Sequence, residues 1–211
     1  MEQILLERKI NYLMHFTRVE NLPSIFQYGL LPRNELSEDE CIFNDQYRYD
    51  GCLNAICTSI EFPNYKMFYR LRMENPETNW AVLAIDVNVL MSCPCAFCET
   101  NAGSQAMYSI PLDDRYGDEA LRKLFCDISE GNKREELRIP SHYPTNPQAE
   151  VLVFGRIPVE YIKYVFFENV PLQLKYRSII PSGIQSRADN RYFYPRSDYK
   201  YWQEQQSELI F

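Results

Sequence analysis

No stretch of this 211-residue chain approaches the roughly 18 consecutive apolar residues of a membrane-spanning helix, so no such helix is expected. The opening Met1-Glu2-Gln3-Ile4-Leu5-Leu6-Glu7-Arg8 lacks the basic lead and apolar run of an export signal, and a cytoplasmic place is expected. Excess positive charge is missing too. With 22 Lys and Arg against 29 Asp and Glu, the formal net charge is −7, which argues against a protein that coats duplex DNA through its overall field. A small basic groove on an acidic body stays open. Gly-x-Gly-x-x-Gly and the P-loop are both absent, which removes the ordinary nucleotide cradles. The seven cysteines are odd in number and too sparse for a secreted disulfide scaffold, so reduced thiols in a cytosol are expected. Cys93-Pro94-Cys95-Ala96-Phe97-Cys98 is dense enough to ligate a metal. A structural zinc needs four ligands, however, and no second C-x-x-C or paired histidine follows at normal spacing. Packed or idle thiols are expected there, and no metal.

What is present fits one domain spanning residues 1–211. Apolar residues make up 45% and charged residues 24%, enough to bury a core without disulfides. Asn11 to Phe16 reads as a strand. Asn21-Leu22-Pro23-Ser24-Ile25-Phe26-Gln27-Tyr28-Gly29 reads as a short helix, with Asn21 as N-cap, Pro23 in the first turn and Gly29 as a left-handed stop. Residues 34–51 are polar and acidic, a loop placed to cover something. Ala55 to Ile60 reads as a strand, and Asn64 to Met73 as a helix with Tyr65, Phe68, Tyr69 and Arg72 in the 3–4 rhythm. Strands are predicted at Trp80–Asp86, Val151–Phe154 and Tyr164–Phe167, and a helix at Asp118–Asp127. Strands and helices alternate without a regular βαβ beat and no repeat is visible, so the fold class is α+β.

Three residues carry candidate chemistry. His15, one of only two histidines, sits on the apolar strand Tyr12-Leu13-Met14-His15-Phe16-Thr17. It serves either as a packed residue bonded to a backbone carbonyl or as a ligand contact, with Thr17 two residues on along the same strand face. Glu150 opens the apolar run Val151-Leu152-Val153-Phe154. There it is either a solvated strand entrance or a carboxylate at the edge of a core, where burial and partners decide its charge. Arg48, in Tyr47-Arg48-Tyr49-Asp50-Gly51, offers a planar, permanent cation for phosphate or a base edge, a role that Arg70 or Arg72 could also fill. Finally, Arg187 to Trp202 interleaves four basic residues with six aromatic ones. Such a segment either stacks on unpaired bases or packs back onto the core through its rings.

These motifs resemble a known family. Tyr12-Leu13-Met14-His15-Phe16-Thr17, followed by Asn21-Leu22-Pro23-Ser24-Ile25 and Gly29-Leu30, is similar to the N-terminal signature of the DarT family. These are ADP-ribosyltransferase toxins of bacterial toxin–antitoxin systems that modify single-stranded DNA. Gly51-Cys52-Leu53-Asn54-Ala55 through Ser59-Ile60-Glu61-Phe62-Pro63-Asn64-Tyr65-Lys66-Met67-Phe68 resembles a second block. Thr100-Asn101-Ala102-Gly103-Ser104 resembles a further stretch, and Gln148-Ala149-Glu150-Val151-Leu152-Val153 the block that carries the catalytic glutamate. The likeness spans about residues 11–170; the segment 180–211, aromatic and basic, has no counterpart in it.

The resemblance implies an ADP-ribosyltransferase fold with two small β-sheets around an NAD cleft and flanking helices. NAD is then a substrate. His15 and Thr17 hold its nicotinamide or ribose, with Asn21 nearby. Arg48 matches the family's essential, catalytic arginine and would contact a phosphate or the acceptor base, helping present or deprotonate the attacking nitrogen. Glu150 matches the catalytic glutamate, and about Asp113 to Pro147 would recognise substrate. The implied partners are single-stranded DNA, along which Lys66, Arg70, Arg72 and the aromatic tail could lie, and a macrodomain antitoxin that removes ADP-ribose. Protein or RNA as acceptor, or an inactive relative that only binds nucleic acid, are the alternatives. Which base is modified stays open.

Overall fold

A computed structural model describes residues 1–36, 48–129 and 133–208, the side chains of 204–208 excepted. In chain order the elements are α1 (Glu2–Arg8), β1 (Tyr12–Arg18), α2 (Leu22–Tyr28), β2 (Ala55–Ile60), α3 (Tyr65–Glu74), β3 (Trp80–Asp86), α4 (Val89–Ser92), β4 (Cys95–Cys98), α5 (Gln105–Tyr108), α6 (Gly117–Lys123), β5 (Glu150–Phe154), β6 (Ile162–Phe167), α7 (Val170–Tyr176), β7 (Gln185–Ala188) and α8 (Tyr199–Glu208). The covering loop expected over 34–51 lies, for its span 37–47, outside the described residues. Among the described residues no helix is long and apolar enough to cross a membrane.

The strands form one sheet in the order β4-β5-β2-β1-β3-β6-β7. Neighbours are antiparallel except β6 and β7. The two sheets implied by the family resemblance are the two halves of this one. β1 pairs with β3 along its whole length, from Tyr12↔Asp86 to Arg18↔Trp80. It meets β2 only at Leu13↔Ile60 and Met14↔Ser59. Beyond Met14 the pairing stops, so the halves stay joined at one end and separate at the other.

Burial follows from the pleat. Trp80 through Ile85 are all buried, as a central strand covered on both faces requires. On one face, Ala81, Leu83 and Ile85 join Ile4, Leu22, Ile25 and Leu121 from the helices. On the other, Trp80, Val82 and Ala84 join Phe68 and Leu71 of α3, and Phe193. Tyr69, expected on that inner face, is 57% exposed: it follows Phe68 by one residue, about 100° round the helix, and the contact is already filled by Tyr65, Phe68 and Leu71.

Two strands escape a reading of the sequence. β4 is the cysteine cluster itself. Cys95 sides with Phe97 in one cluster and Cys98 with Ala96 in another. Three residues apart on a strand, they face opposite sides of the sheet, so this C-x-x-C cannot close on one metal ion. β7 is polar and lies parallel on the edge of β6. The aromatic tail packs back. Phe193 is buried against Phe68, Tyr192 lies 4.6 Å from the Phe166 ring centroid, and Tyr199 meets Tyr65 edge-on. The buried pair Arg196–Asp198 ties the segment down, Arg196 donating to the carbonyls of Pro144 and Thr145.

α2 enters through a 3-10 turn at Val19–Asn21, with Pro23 in its first turn as expected. Asn21 makes no cap bond; its side-chain amide donates to Thr17 Oγ1 at 3.1 Å instead. The helix stops at Gly29, whose φ is 81° and ψ −177°. That region is open essentially to glycine alone, and an added Cβ would sit 2.4 Å from the Ile157 carbonyl oxygen. The close approach lets Leu30 and Ile157 exchange both backbone hydrogen bonds, each 2.9 Å. Gly29→Ala should therefore cost about 1–3 kcal/mol or more in urea unfolding, whereas Gly183→Ala, with nothing near its Cβ position, should stay near wild type.

Candidate active site

The parting of β1 from β2 opens a cavity of about 520 Å³, within the roughly 300–1,000 Å³ usual for ligand sites. Strands that part leave backbone groups unpaired, and buried ones need partners. Two of the predicted residues supply them. His15 Nδ1 lies 2.8 Å from the Cys57 carbonyl oxygen, across the gap. A carbonyl only accepts, so Nδ1 carries the hydrogen. Burial, with the charge of Arg48 adding to it, pulls the imidazole below its ordinary pKa and keeps it neutral, which leaves Nε2 an acceptor.

Arg48 braces the other wall. It donates to both carboxylate oxygens of Asp50 at 3.0 and 2.8 Å, to the Ala55 carbonyl at 2.9 Å and to the Cys52 carbonyl at 2.7 Å. Asp50 in turn accepts from the Cys52 amide at 3.0 Å. The guanidinium thus spends four of its five N–H donors on the turn that leads into β2. Burial pushes the thiol of Cys57 well up, so that side chain is an inert lining group.

Glu150, at the first position of β5, is 5% exposed. Its Oε1 accepts from the side-chain amides of Asn64 at 3.3 Å and Asn101 at 3.0 Å, and its Oε2 from the Ala102 backbone N–H at 2.8 Å. A carboxylate offers about four acceptor positions, so among the described residues one is left, on Oε2. Burial pushes the carboxyl up to about 7; the Ala102 and Asn64 bonds pull it back, Asp50 raises it, and Arg48 lowers it. The group therefore titrates near neutrality, where a carboxyl can act both as an anion and as a proton acceptor.

His15, Thr17, Asn21, Arg48 and Glu150, drawn from three separate stretches of chain, all line this one cavity. Thr17 is buried and Asn21 half-buried, joined by their hydrogen bond. Lys66 and Arg70 of α3 also line the cavity and are exposed. Arg72 does not join them: it donates to Glu168 at 3.1 Å and to the Phe193 carbonyl at 2.6 Å, a brace for the tail rather than a free cation for a strand. Asn64, Asn101 and Asp50 were not among the candidates. Their local signals, a residue before a helix, an Asn-Ala-Gly turn and an Asp-Gly turn, read as chain punctuation. Among the described residues no cluster of three or more His, Cys, Asp or Glu is arranged to hold a metal ion.

Three comparisons extend the picture. Thermus sp. 2.9 DarT in complex with ADP-ribosylated ssDNA superposes with a TM-score of 0.64 at 14% identity, over 88% of this chain and 97% of that one. The same protein with carba-NAD+ gives 0.61 at 14% identity, over 87% and 97%. Thermosipho africanus DarTG in complex with ADP-ribose gives 0.57 at 16% identity, over 86% of this chain but only 50% of that one, so the chain spans half the length of that relative. At such identities the likeness speaks for the fold. No curated protein matches the sequence. The sequence profile of ssDNA thymidine ADP-ribosyltransferase, DarT, matches residues 14–201, and the chain belongs to that family.

The raised carboxyl has a thermodynamic consequence. Glu150 holds its proton more tightly in the fold than in the unfolded chain, whose glutamate has the ordinary value of 4.5. The stability this confers is present below the ordinary value and lost as pH rises through about 7. Carbon-13 NMR should find the Glu150 carboxyl titrating near 7, and stability should decline between pH values of about 5 and 8 by an amount that Glu150→Ala abolishes.

Proposed function

We propose that the protein transfers ADP-ribose from NAD to a thymine base of single-stranded DNA, releasing nicotinamide, with Glu150 as its catalytic carboxylate. One observation carries this reading: a buried carboxylate, held by three donors with one acceptor position to spare, lines the same cavity as His15, Thr17, Asn21 and Arg48. The family profile names the thymidine acceptor, and the Thermus relatives bind carba-NAD+ and ADP-ribosylated ssDNA in the same fold.

NAD, when bound, supplies a nicotinamide leaving group and a ribose carbon on which positive charge develops as the bond between them loosens. The anionic form of Glu150 stabilises that developing charge, and the spare position on Oε2 suits a ribose hydroxyl donor. His15, its Nδ1 spent on Cys57, offers Nε2 to a donor of the dinucleotide and orients it, which reduces the entropic cost of a reactive geometry. Thr17 and Asn21, bonded to each other, present their hydroxyl and amide beside it.

Arg48 stays protonated, paired with Asp50, so its task is to steady the cleft wall and present the acceptor rather than remove a proton. Glu150, with a pKa of about 7, is the group suited to take the proton from the attacking nitrogen. A thymine in DNA has a single N–H, on its pairing edge. That edge is occupied in a duplex, so an unpaired strand is the natural acceptor. Lys66 and Arg70 offer exposed cations to its phosphates, which lets an acidic protein bind DNA locally and with strong salt dependence.

We also assign the protein to a toxin–antitoxin pair, its partner a macrodomain that removes ADP-ribose; the motif resemblance supports this. Incubated with NAD and single-stranded oligonucleotides, wild type should add an ADP-ribosyl mass to thymine-containing strands only. Glu150→Gln should lower the rate at least ~100-fold while staying folded, and should relieve the growth arrest that wild type causes without a macrodomain. Modification of protein or RNA but not DNA, or full activity in Glu150→Gln, would contradict the assignment.

A further inference from the structure

We propose that Asn64 and Asn101 are positioning residues for the transfer reaction: the pair of side-chain amides that aims the Glu150 carboxylate and keeps it anionic inside the protein. This rests on the reading of Glu150 as the catalytic carboxylate. Each asparagine is fixed at both ends. Asn64 Oδ1 accepts from the Met67 backbone N–H at 3.2 Å, capping α3. Asn101 Oδ1 accepts from the Gly103 N–H at 3.1 Å, closing a turn. With each carbonyl oxygen committed to a backbone donor, each Nδ2 must face the carboxylate, and both reach Oε1, at 3.3 and 3.0 Å.

The arrangement answers a physical problem. A carboxylate 5% exposed tends to take up a proton, and hydrogen bonds to its charged form oppose that. The charged and titratable groups around it do not settle the matter. From the turn before β2, Arg48 favours the anion and Asp50 disfavours it; Cys57 on β2 and Cys98 on β4 face it as thiols that burial keeps protonated. The deciding donors are the two amides and the Ala102 N–H. By loading Oε1 with two bonds, the amides also leave the spare position on Oε2, so they select which oxygen meets the substrate.

Asparagine's dual use permits a sharp test. Asn64→Asp and Asn101→Asp keep the oxygen that caps α3 or closes the turn, since Asp serves as N-cap as well as Asn. They replace the donor to Glu150 with a second carboxyl. The added carboxyl repels Glu150 by itself, so uncharged Ser variants are the control: a purely structural role predicts that they keep the wild-type pH profile. The positioning role predicts that in the Asp variants the rising limb of kcat against pH moves alkaline by about one unit or more, with kcat at neutral pH down at least ~10-fold and KM for NAD within about threefold of wild type.

Asn64→Ser and Asn101→Ser, uncharged and too short to reach, keep a capping oxygen and should lower kcat with a smaller alkaline shift; they carry the test if an Asp variant does not fold. Thermal melting establishes folding in each case. Unaltered pH profiles in folded Asp or Ser variants, beside an inactive Glu150→Gln, would overturn this inference alone. An active Glu150→Gln would instead remove the catalytic reading beneath it.

Discussion

Everything at the candidate site follows from one break in the sheet. β1 and β2 pair at Leu13↔Ile60 and Met14↔Ser59 and then separate. Along the opening the outer edges of both strands are occupied, β1 by β3 over its whole length and β2 by β5 from Ala55 to Thr58. The opening therefore exposes only the inner edges, and the side chains that satisfy them become the walls of the cavity. His15 reaches the Cys57 carbonyl, and Arg48 reaches the carbonyls of Ala55 and Cys52. The residues that satisfy the backbone are thus the ones proposed to recognise the ligand. The split sheet stays cohesive because β3, buried on both faces, holds its β1–β6 half, and the buried β5 holds the other.

The second constraint is electrostatic. Glu150 begins β5 opposite Cys98, with Leu152 and Val153 following into the core. Removing a carboxylate from water is costly, and a protein selected for stability alone would place an apolar residue there. The site instead surrounds it with two asparagine amides and a backbone N–H, enough to bring a proton on and off near neutral pH without abolishing the charge. Local strain of this kind, compensated by surrounding hydrogen bonds, is characteristic of functional sites.

Much of the frame was legible in the sequence. β2 and β3 match their expected bounds because Ala55–Ile60 and Trp80–Asp86 are short apolar or β-favouring runs between turn residues. α2 was readable from Pro23 and Gly29, and α3 from its 3–4 rhythm. β4 was hidden because Cys-Ala-Phe-Cys reads as a thiol cluster, and β7 because the edge strand Gln-Ser-Arg-Ala lacks apolar alternation. At the site, His15 and Glu150 stood out as polar groups on apolar strands. The roles of Asn64 and Asn101 were not readable, since their contacts with Glu150 span 86 and 49 residues of chain and their local surroundings look like a cap and a turn. Arg72 went astray for the same reason: its partners, Glu168 and Phe193, are 96 and 121 residues away.

On the proposed function, the dinucleotide is cleaved in the opening between β1 and β2, with Glu150 facing its sugar. A crystal structure with a non-cleavable NAD analogue tests this most directly. The predicted result places a Glu150 carboxylate oxygen at about 3 Å from a ribose hydroxyl, with the His15–Cys57 hydrogen bond intact. An analogue bound away from this opening, such as in the groove beside Tyr12 and Tyr164, or a carboxylate turned from the sugar, would contradict it.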